Sequence, residues 1–208
     1  MQTKGVLVVV SGFSGAGKGT VMKALLDKYD NYALSVSATT RSPRPGEENG
    51  REYFFLTESQ FEDMIRNDEL IEHARYVDHY YGTPRKYVEE KMAAGKDVIL
   101  EIEIQGALNI KKKFPDALLV FIVPPTAKDL KKRLIGRGTE SAEVIEKRLR
   151  RAAEESDGMD SYDYIVVNDD VDTCVEDLHS LIRSSHFKES ANTDLVARMK
   201  QELHDMTK

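Results

Sequence analysis

The sequence predicts an α/β fold built on a parallel-sheet core. Three observations carry this expectation. Four short apolar runs, Val6–Val10, Val98–Ile102, Leu118–Val123 and Tyr164–Val167, read as strands covered on both faces. Helical stretches separate them, the alternation of a doubly wound sheet. Between the first run and the first helix lies the glycine-rich loop Ser11-Gly12-Phe13-Ser14-Gly15-Ala16-Gly17-Lys18-Gly19-Thr20.

That loop organises the chain. The helix after it, Val21 to Tyr29, puts Val21, Met22, Leu25 and Leu26 on one side. Strand, glycine loop and helix form the context that turns a G-x-x-x-x-G-K match into a P-loop. Glycines let successive backbone N–H groups point inward at a polyphosphate. The helix adds the positive end of its dipole. Lys18 supplies a mobile charge for the β- and γ-phosphates. Gly12 to Thr20 are therefore the candidate ATP cradle. One position departs from the common motif: Gly19 follows the lysine where Ser or Thr is usual, and Thr20 comes next.

From about residue 33 to 83 the pattern changes to a small mixed lobe inserted into the core, leaving about 1–32, 84–125 and 157–185 as the core itself. Leu34-Ser35-Val36-Ser37 and Glu52-Tyr53-Phe54-Phe55 are short strand candidates. A capping box, Thr57-Glu58-Ser59-Gln60, starts a helix through about Asn67. Leu70–Tyr76 and Tyr80–Gly82 read as a hairpin around Val77-Asp78-His79. Thr83 reads as the N-cap of the next helix, with Pro84 at its first position and Gly95 closing it. Gly106–Lys113 and Thr126–Ile135 are further helices. A second insertion, about 126–156, is helical and rich in Lys and Arg. The tail from about 186 to 208 is polar, with Leu195, Met199 and Leu203 at the four-residue spacing of an amphipathic helix.

Within the small lobe, Thr39-Thr40-Arg41-Ser42-Pro43-Arg44-Pro45-Gly46-Glu47 sets two arginines in a rigid loop. Planar guanidinium forks held this way grip phosphate bidentately. Glu72 ends a strand candidate close to Ser37, Tyr53, Tyr81 and Thr83. A carboxylate accepts two hydrogen bonds from adjacent donors on a base edge, such as N1 and N2 of guanine, and repels the N1 acceptor of adenine. By spacing alone Glu72 reads more often as a surface acid, and only the family resemblance given below singles it out. Glu101 and Glu103 close the Val98–Ile104 run, at the strand end where ligands bind in such sheets. On a helix Arg133 and Arg137 share a face, and Arg148 follows on another helix.

Composition narrows the function. The 208 residues include 30 basic and 36 acidic ones, a net charge of −6. That argues against a general nucleic-acid or membrane-surface protein, and an anionic ligand must be held by a local basic cluster. One cysteine, Cys174, excludes an internal disulfide, and the five histidines have no metal-ligand spacing. The N-terminal apolar run is too short for a signal segment or a membrane span, so a cytoplasmic protein is expected.

Taken together these residues resemble the guanylate kinase family. The pattern runs through Gly12–Thr20, Ser37 to Glu47, Gly50-Arg51-Glu52-Tyr53, Ile71-Glu72-His73-Ala74, Tyr80 to Thr83, Leu100 to Gly106, the three lid arginines and Val167-Asn168-Asp169, reaching about Ile182. The resemblance implies a P-loop parallel-sheet core, a nucleotide-monophosphate lobe at about 33–83 and a lid at about 126–156. It implies phosphorylation of GMP, with dGMP as a second acceptor, by ATP with Mg2+. By position Ser37, Arg41, Arg44, Tyr53, Glu72, Tyr81, Thr83, Glu101 and Glu103 are GMP contacts. Lys18, Arg44, Arg137 and Arg148 are the catalytic cations. Arg133, Asn168 and Asp169 join the loop on the ATP side. Phe13 stands where the family has proline, and Glu103 where aspartate is common. No protein ligand for the metal is implied firmly; Thr20 is the one hydroxyl at the helix start, and ATP phosphates and water would hold the ion.

Two rivals remain at this level. One is a non-catalytic relative that serves as a binding module, but such modules typically lose the P-loop lysine or the lid arginines. The other is a kinase of AMP or UMP, which Glu72 with Ser37 disfavours. The tail and the oligomeric state are not addressed by any motif.

Overall fold

The computed structural model describes residues 4–76, 78–136 and 141–207. The chain opens with β1 (Leu7–Gly12), the glycine loop, α1 (Lys18–Lys28) and β2 (Tyr32–Leu34). It then builds a second layer from β3 (Ser37–Thr39), β4 (Tyr53–Phe55), α2 (Glu58–Arg66), β5 (Leu70–Tyr76) and β6 (His79–Pro84). It returns through α3 (Arg85–Ala93), β7 (Asp97–Glu101), α4 (Ile104–Lys113) and β8 (Leu118–Val123). Helices α5 (Ala127–Gly136) and α6 (Ala142–Ser156) precede β9 (Tyr164–Val167), α7 (Val171–Ser185) and α8 (Thr193–Met206).

The core sheet has the order β2-β7-β1-β8-β9, and every pairing in it is parallel. Alternation along β1 explains why both faces are covered. Val8 and Val10 pack with Val21, Met22 and Leu25 of α1 and Cys174, Leu178 and Ile182 of α7. Leu7 and Val9 face the other way, onto Val88 of α3 and Ala107 and Ile110 of α4. Side chains alternate across a strand, so an unbroken apolar run is what a two-sided burial demands. This is the doubly wound α/β core expected from the sequence.

The second sheet has the order β4-β3-β6-β5. Its strands β3 and β4 are parallel and its other pairs antiparallel. Ala38, Phe61 and Leu70 form its small core beneath α2. The capping box is formed: Thr57 accepts from the Gln60 N–H and the Gln60 side chain accepts from Thr57 N–H. Gly95, at φ 80°, follows α3 as expected of a helix-closing glycine.

Three expectations need correction. The core sheet has five strands rather than four. The additional one, Tyr32–Leu34, is too short to register as an apolar run, yet it pairs with Asp97, Val98 and Ile99. The candidate strand Leu34–Ser37 is therefore two elements. Ser35 still donates to Ile99 O in the core, whereas Ser37 begins the pairing with Tyr53 in the second sheet. Thr83 does not cap α3. Pro84 holds the N-cap place in an extended conformation, and Thr83 belongs to β6. A residue before proline is driven out of the helical region, so Thr83 stays extended within β6. The tail does form a helix, α8, but Leu195, Met199 and Leu203 on it are exposed. No helix among the described residues is long and apolar enough to cross a membrane.

Candidate active site

Strand β1 delivers the loop at the carboxyl edge of the sheet, between the ends of β7 and β8, with the end of β9 one strand further on. Two loop glycines are required by their surroundings. Gly12 has φ 154°, and a Cβ there would lie 2.2 Å from Ile122 O. Gly17, the residue before α1, has φ 91°, and a Cβ would meet Asn168 Nδ2 at 2.5 Å. Lys18 Nζ donates to Gly12 O at 2.6 Å and to Phe13 O at 3.4 Å. The ammonium thus curls over its own loop, near where phosphate oxygens would replace the carbonyls. Phe13, Ser14, Gly15, Gly17, Lys18, Gly19, Thr20 and Glu101 line a cleft of about 400 Å³. Phe13 fills the family's proline position by packing edge-on against Phe121, ring centroids 5.1 Å apart.

The residues expected on the ATP side meet at the back of this loop. Asn168, at the end of β9, is buried, and its side-chain amide donates to Ala16 O at 2.8 Å. Arg133 of α5 donates to Ala16 O at 3.2 Å and to Asn168 O at 2.7 Å. Both therefore brace the loop through one carbonyl. Asp169 is exposed next to Asn168. Arg148 of α6 donates to the Ser14 hydroxyl at 2.6 Å. Leu130 and Leu134 of α5 pack with Phe13 and with Leu149 of α6. The two lid helices thus rest on the P-loop. Arg137 lies outside the described residues.

The second sheet gathers the residues expected on the acceptor side. Glu72 is only 5% exposed, and its Oε1 accepts from the Thr83 hydroxyl at 2.9 Å. Burial pushes its pKa up, opposed by the Thr83 hydrogen bond and by the charge of Lys113. A Cβ on Gly106 would lie 3.1 Å from Glu72 Oε2, so the absence of a side chain there leaves the carboxylate its room. Ser37 pairs with Tyr53 across β3 and β4, and Tyr81 with Thr39 across β3 and β6. The Tyr53 and Tyr81 rings approach edge-on, centroids 6.1 Å apart. Arg41 lies 5.3 Å above the Tyr53 ring, and Arg44 is exposed on the same loop.

The two halves meet at the junction of β7 and α4. Glu101 closes β7 and lines the P-loop cleft, while Gly106, five residues on, abuts Glu72. Desolvation by the surrounding protein raises the Glu101 pKa, and Lys18 pulls it the other way. Glu103 precedes α4 and is turned to the lid, where Arg151 of α6 pairs with it. Arg151 also holds Glu155 at 2.8 Å. Sequence reasoning passed over Arg151, Gly106 and Glu47. Glu47 was visible as the end of the arginine loop, but its contact with Arg41 needs the folded turn. Among the described residues no cluster of three or more His, Cys, Asp or Glu side chains is placed to hold a metal ion. A divalent ion accompanying ATP would find nucleotide oxygens and water in this cleft, with Thr20 and Glu101 in its lining.

The guanylate kinase family model matches residues 4–185. The chain belongs to the guanylate kinase family. A guanylate kinase of Caldanaerobacter subterraneus subsp. tengcongensis is 46% identical over 202 residues, covering 97% of this chain and 98% of that one. One of Lactococcus lactis subsp. lactis is 50% identical, covering 90% and 92%. The crystal structure of guanylate kinase from Anaplasma phagocytophilum superposes with a TM-score of 0.72 at 32% identity, over 90% of this chain and 89% of that one. The family model ends where α7 ends, whereas the alignment with the Caldanaerobacter enzyme covers 97% of the chain and so takes in most of α8. Enzymes of this family are nucleotide kinases and generally need a divalent metal.

Proposed function

We propose a division of labour among Lys18, Arg41, Arg44, Arg137 and Arg148 in transferring the γ-phosphoryl group of ATP to GMP, the activity of the family to which the chain belongs. The observation that carries the proposal is the β7–α4 junction. It leads from Glu101 in the P-loop cleft to Gly106 against the buried Glu72, which supports a phosphate end and a base end at the two ends of one short segment.

Glu72 accepts the guanine N1 and N2 protons, and Thr83 fixes its carboxylate. Ser37 faces the base from β3; Tyr53, Tyr81, Arg41 and Arg44 hold the phosphate. Glu101 and Glu103 border the acceptor side, with Glu103 exchanging Arg151 for the nucleotide as the lid moves. dGMP is a second acceptor, since it presents the same base and phosphate to these residues. The loop Gly12–Thr20 holds the ATP phosphates, with Arg133, Asn168 and Asp169 at its back and at the adenine side. Mg2+, bound through ATP oxygens and water, neutralises phosphate charge. The reaction takes place in the cytoplasm.

The acceptor phosphate needs no general base, because its second pKa is about 6 and it is largely dianionic at neutral pH. Its oxygen attacks the γ-phosphorus in line as the bond to the bridging oxygen of ADP breaks. The obstacle is the meeting of roughly six negative charges, which the cations offset by positioning and electrostatic stabilisation. Closure of the lid keeps water from taking the phosphoryl group.

Steady-state and binding measurements on two variants test the assignment. Arg44→Lys keeps the charge but loses the planar fork, and should raise the KM for GMP by at least about tenfold. Arg137→Ala should lower turnover more than it weakens ATP binding. A full-strength Arg44→Lys enzyme, or an Arg137→Ala defect confined to ATP binding, would remove those roles.

A further inference from the structure

Arg41 does not stand alone in its loop. Its Nη1 and Nη2 each donate to Glu47, at 2.9 Å, in the end-on bidentate arrangement. Glu47 Oε2 also accepts from the Arg44 N–H at 2.7 Å, and Glu47 N–H donates back to Arg44 O at 3.0 Å. Gly46, at φ 88°, makes the turn that permits this closure. The Arg41 guanidinium also donates to Ser42 O at 2.7 Å and lies over the rings of Tyr53 and Phe55. The two side chains are only 13% and 17% exposed, unlike the solvent-exposed ion pairs of the helix surfaces. Arg41 holds the Glu47 carboxyl below the usual carboxylate range, so it is ionised at neutral pH.

We propose that Glu47 is the positioning residue of the acceptor-phosphate site: it clamps one edge of the Arg41 guanidinium and closes the Arg44 turn, and it keeps both contacts when the nucleotide binds. The inference rests on the proposed role of Arg41 in holding the GMP phosphate. A carboxylate and a phosphate compete for the same guanidinium edge. The alternative is therefore a placeholder that the phosphate expels. Two features favour the clamp. Expelling Glu47 would also break its bond to the Arg44 backbone and unmake the turn that carries Arg44. Guanidinium has five N–H donors, of which the carboxylate engaged end-on takes two and Ser42 O a third, so the Nε edge is not the one Glu47 holds.

The two readings predict opposite signs for Glu47→Gln, which keeps the shape and removes the charge. The clamp predicts a KM for GMP raised about tenfold, the worth of one charge-assisted hydrogen bond. It predicts a smaller fall in kcat and an unchanged KM for ATP. Glu47→Asp, charged but one methylene shorter, should fall between. In an Arg41→Ala background, itself raised in KM for GMP, Glu47→Gln should add little, because its effect passes through Arg41. An unaltered ATP titration and far-ultraviolet dichroism would establish that each variant is folded. A lowered KM for GMP in Glu47→Gln would overturn the clamp in favour of the placeholder. An unchanged KM, with Arg41→Ala strongly impaired, would make Glu47 an incidental loop residue. If Arg41→Ala left the KM for GMP intact, the phosphate role of Arg41 would fall, and the inference with it.

Discussion

At the scale of single residues, the site is paid for in stability at Glu72. A carboxyl with a raised native pKa holds its proton more tightly folded than unfolded. Its contribution to stability is therefore greatest below the unfolded pKa and is lost as pH rises through the native value. Glu72→Gln removes this loss while still accepting from Thr83. The variant's melting temperature should be equal to or above the parent's at pH 7, with the gap closing on acidification toward the unfolded carboxylate range. The same change should weaken GMP use by about 2–4 kcal/mol. Calorimetry from pH 4 to 7 checks the first statement, and a variant less stable than its parent at pH 7 would refute it. Gly19 makes a second case. A Cβ there meets nothing within 4 Å, so Gly19→Ser should be tolerated and tighten Mg–ATP binding modestly. Thr20→Val removes the hydroxyl at the start of α1 and should harm ATP use more than Gly19→Ala does. The magnesium dependence of turnover at fixed ATP tests the order of the three. These roles were legible to different degrees. Lys18 and the glycines follow from a local motif. Glu72 was singled out only through family resemblance, because its burial depends on Thr83 and Gly106, distant in sequence.

At the scale of elements, apolar pattern sufficed wherever a strand was long and covered on both faces. Leu118–Val123 matches to the residue. Tyr164–Val167 has the expected bounds but is an edge strand on which Tyr164, Ile165 and Val167 are exposed, so the expectation that it is covered on both faces is corrected. The pattern failed at Tyr32–Leu34, where three residues give no period, and at Thr83, where a good helix cap served as a strand residue. The lid illustrates a different limit. Its arginines were readable as cations, but their partners were not. Arg148 meets Ser14 and Arg151 meets Glu103 across more than 40 residues of sequence. These are polar contacts a nucleotide can exchange, and α5 and α6 form one small cluster of Leu130, Leu134 and Ala152 apart from the main core. Such an element should move as a unit. A bisubstrate analogue joining the two nucleotides should slow hydrogen exchange in 126–156 and in 37–83 and reduce the radius of gyration. Identical exchange and scattering with and without the analogue would count against two moving elements.

At the scale of the whole molecule, one strand edge gathers everything. The carboxyl ends of β1, β7 and β9 carry the P-loop, Glu101 and Asn168, and the second sheet, inserted between β2 and α3, carries Glu72. The overall architecture was legible because alternating helices and strands dictate a doubly wound sheet. The facing of the two halves was not, since no local pattern encodes the turn from β7 into α4. The central claim is that this cleft phosphorylates the guanine nucleotide and selects it by its base. The most direct measurement is ADP release with GMP, dGMP, AMP and UMP as acceptors, with ATP and Mg2+, for the parent chain and for Glu72→Gln. The parent should use GMP and dGMP and leave AMP and UMP nearly untouched, and Glu72→Gln should lose most of that preference. Comparable use of AMP or UMP by the parent, or a Glu72→Gln variant with undiminished preference for GMP, would contradict it.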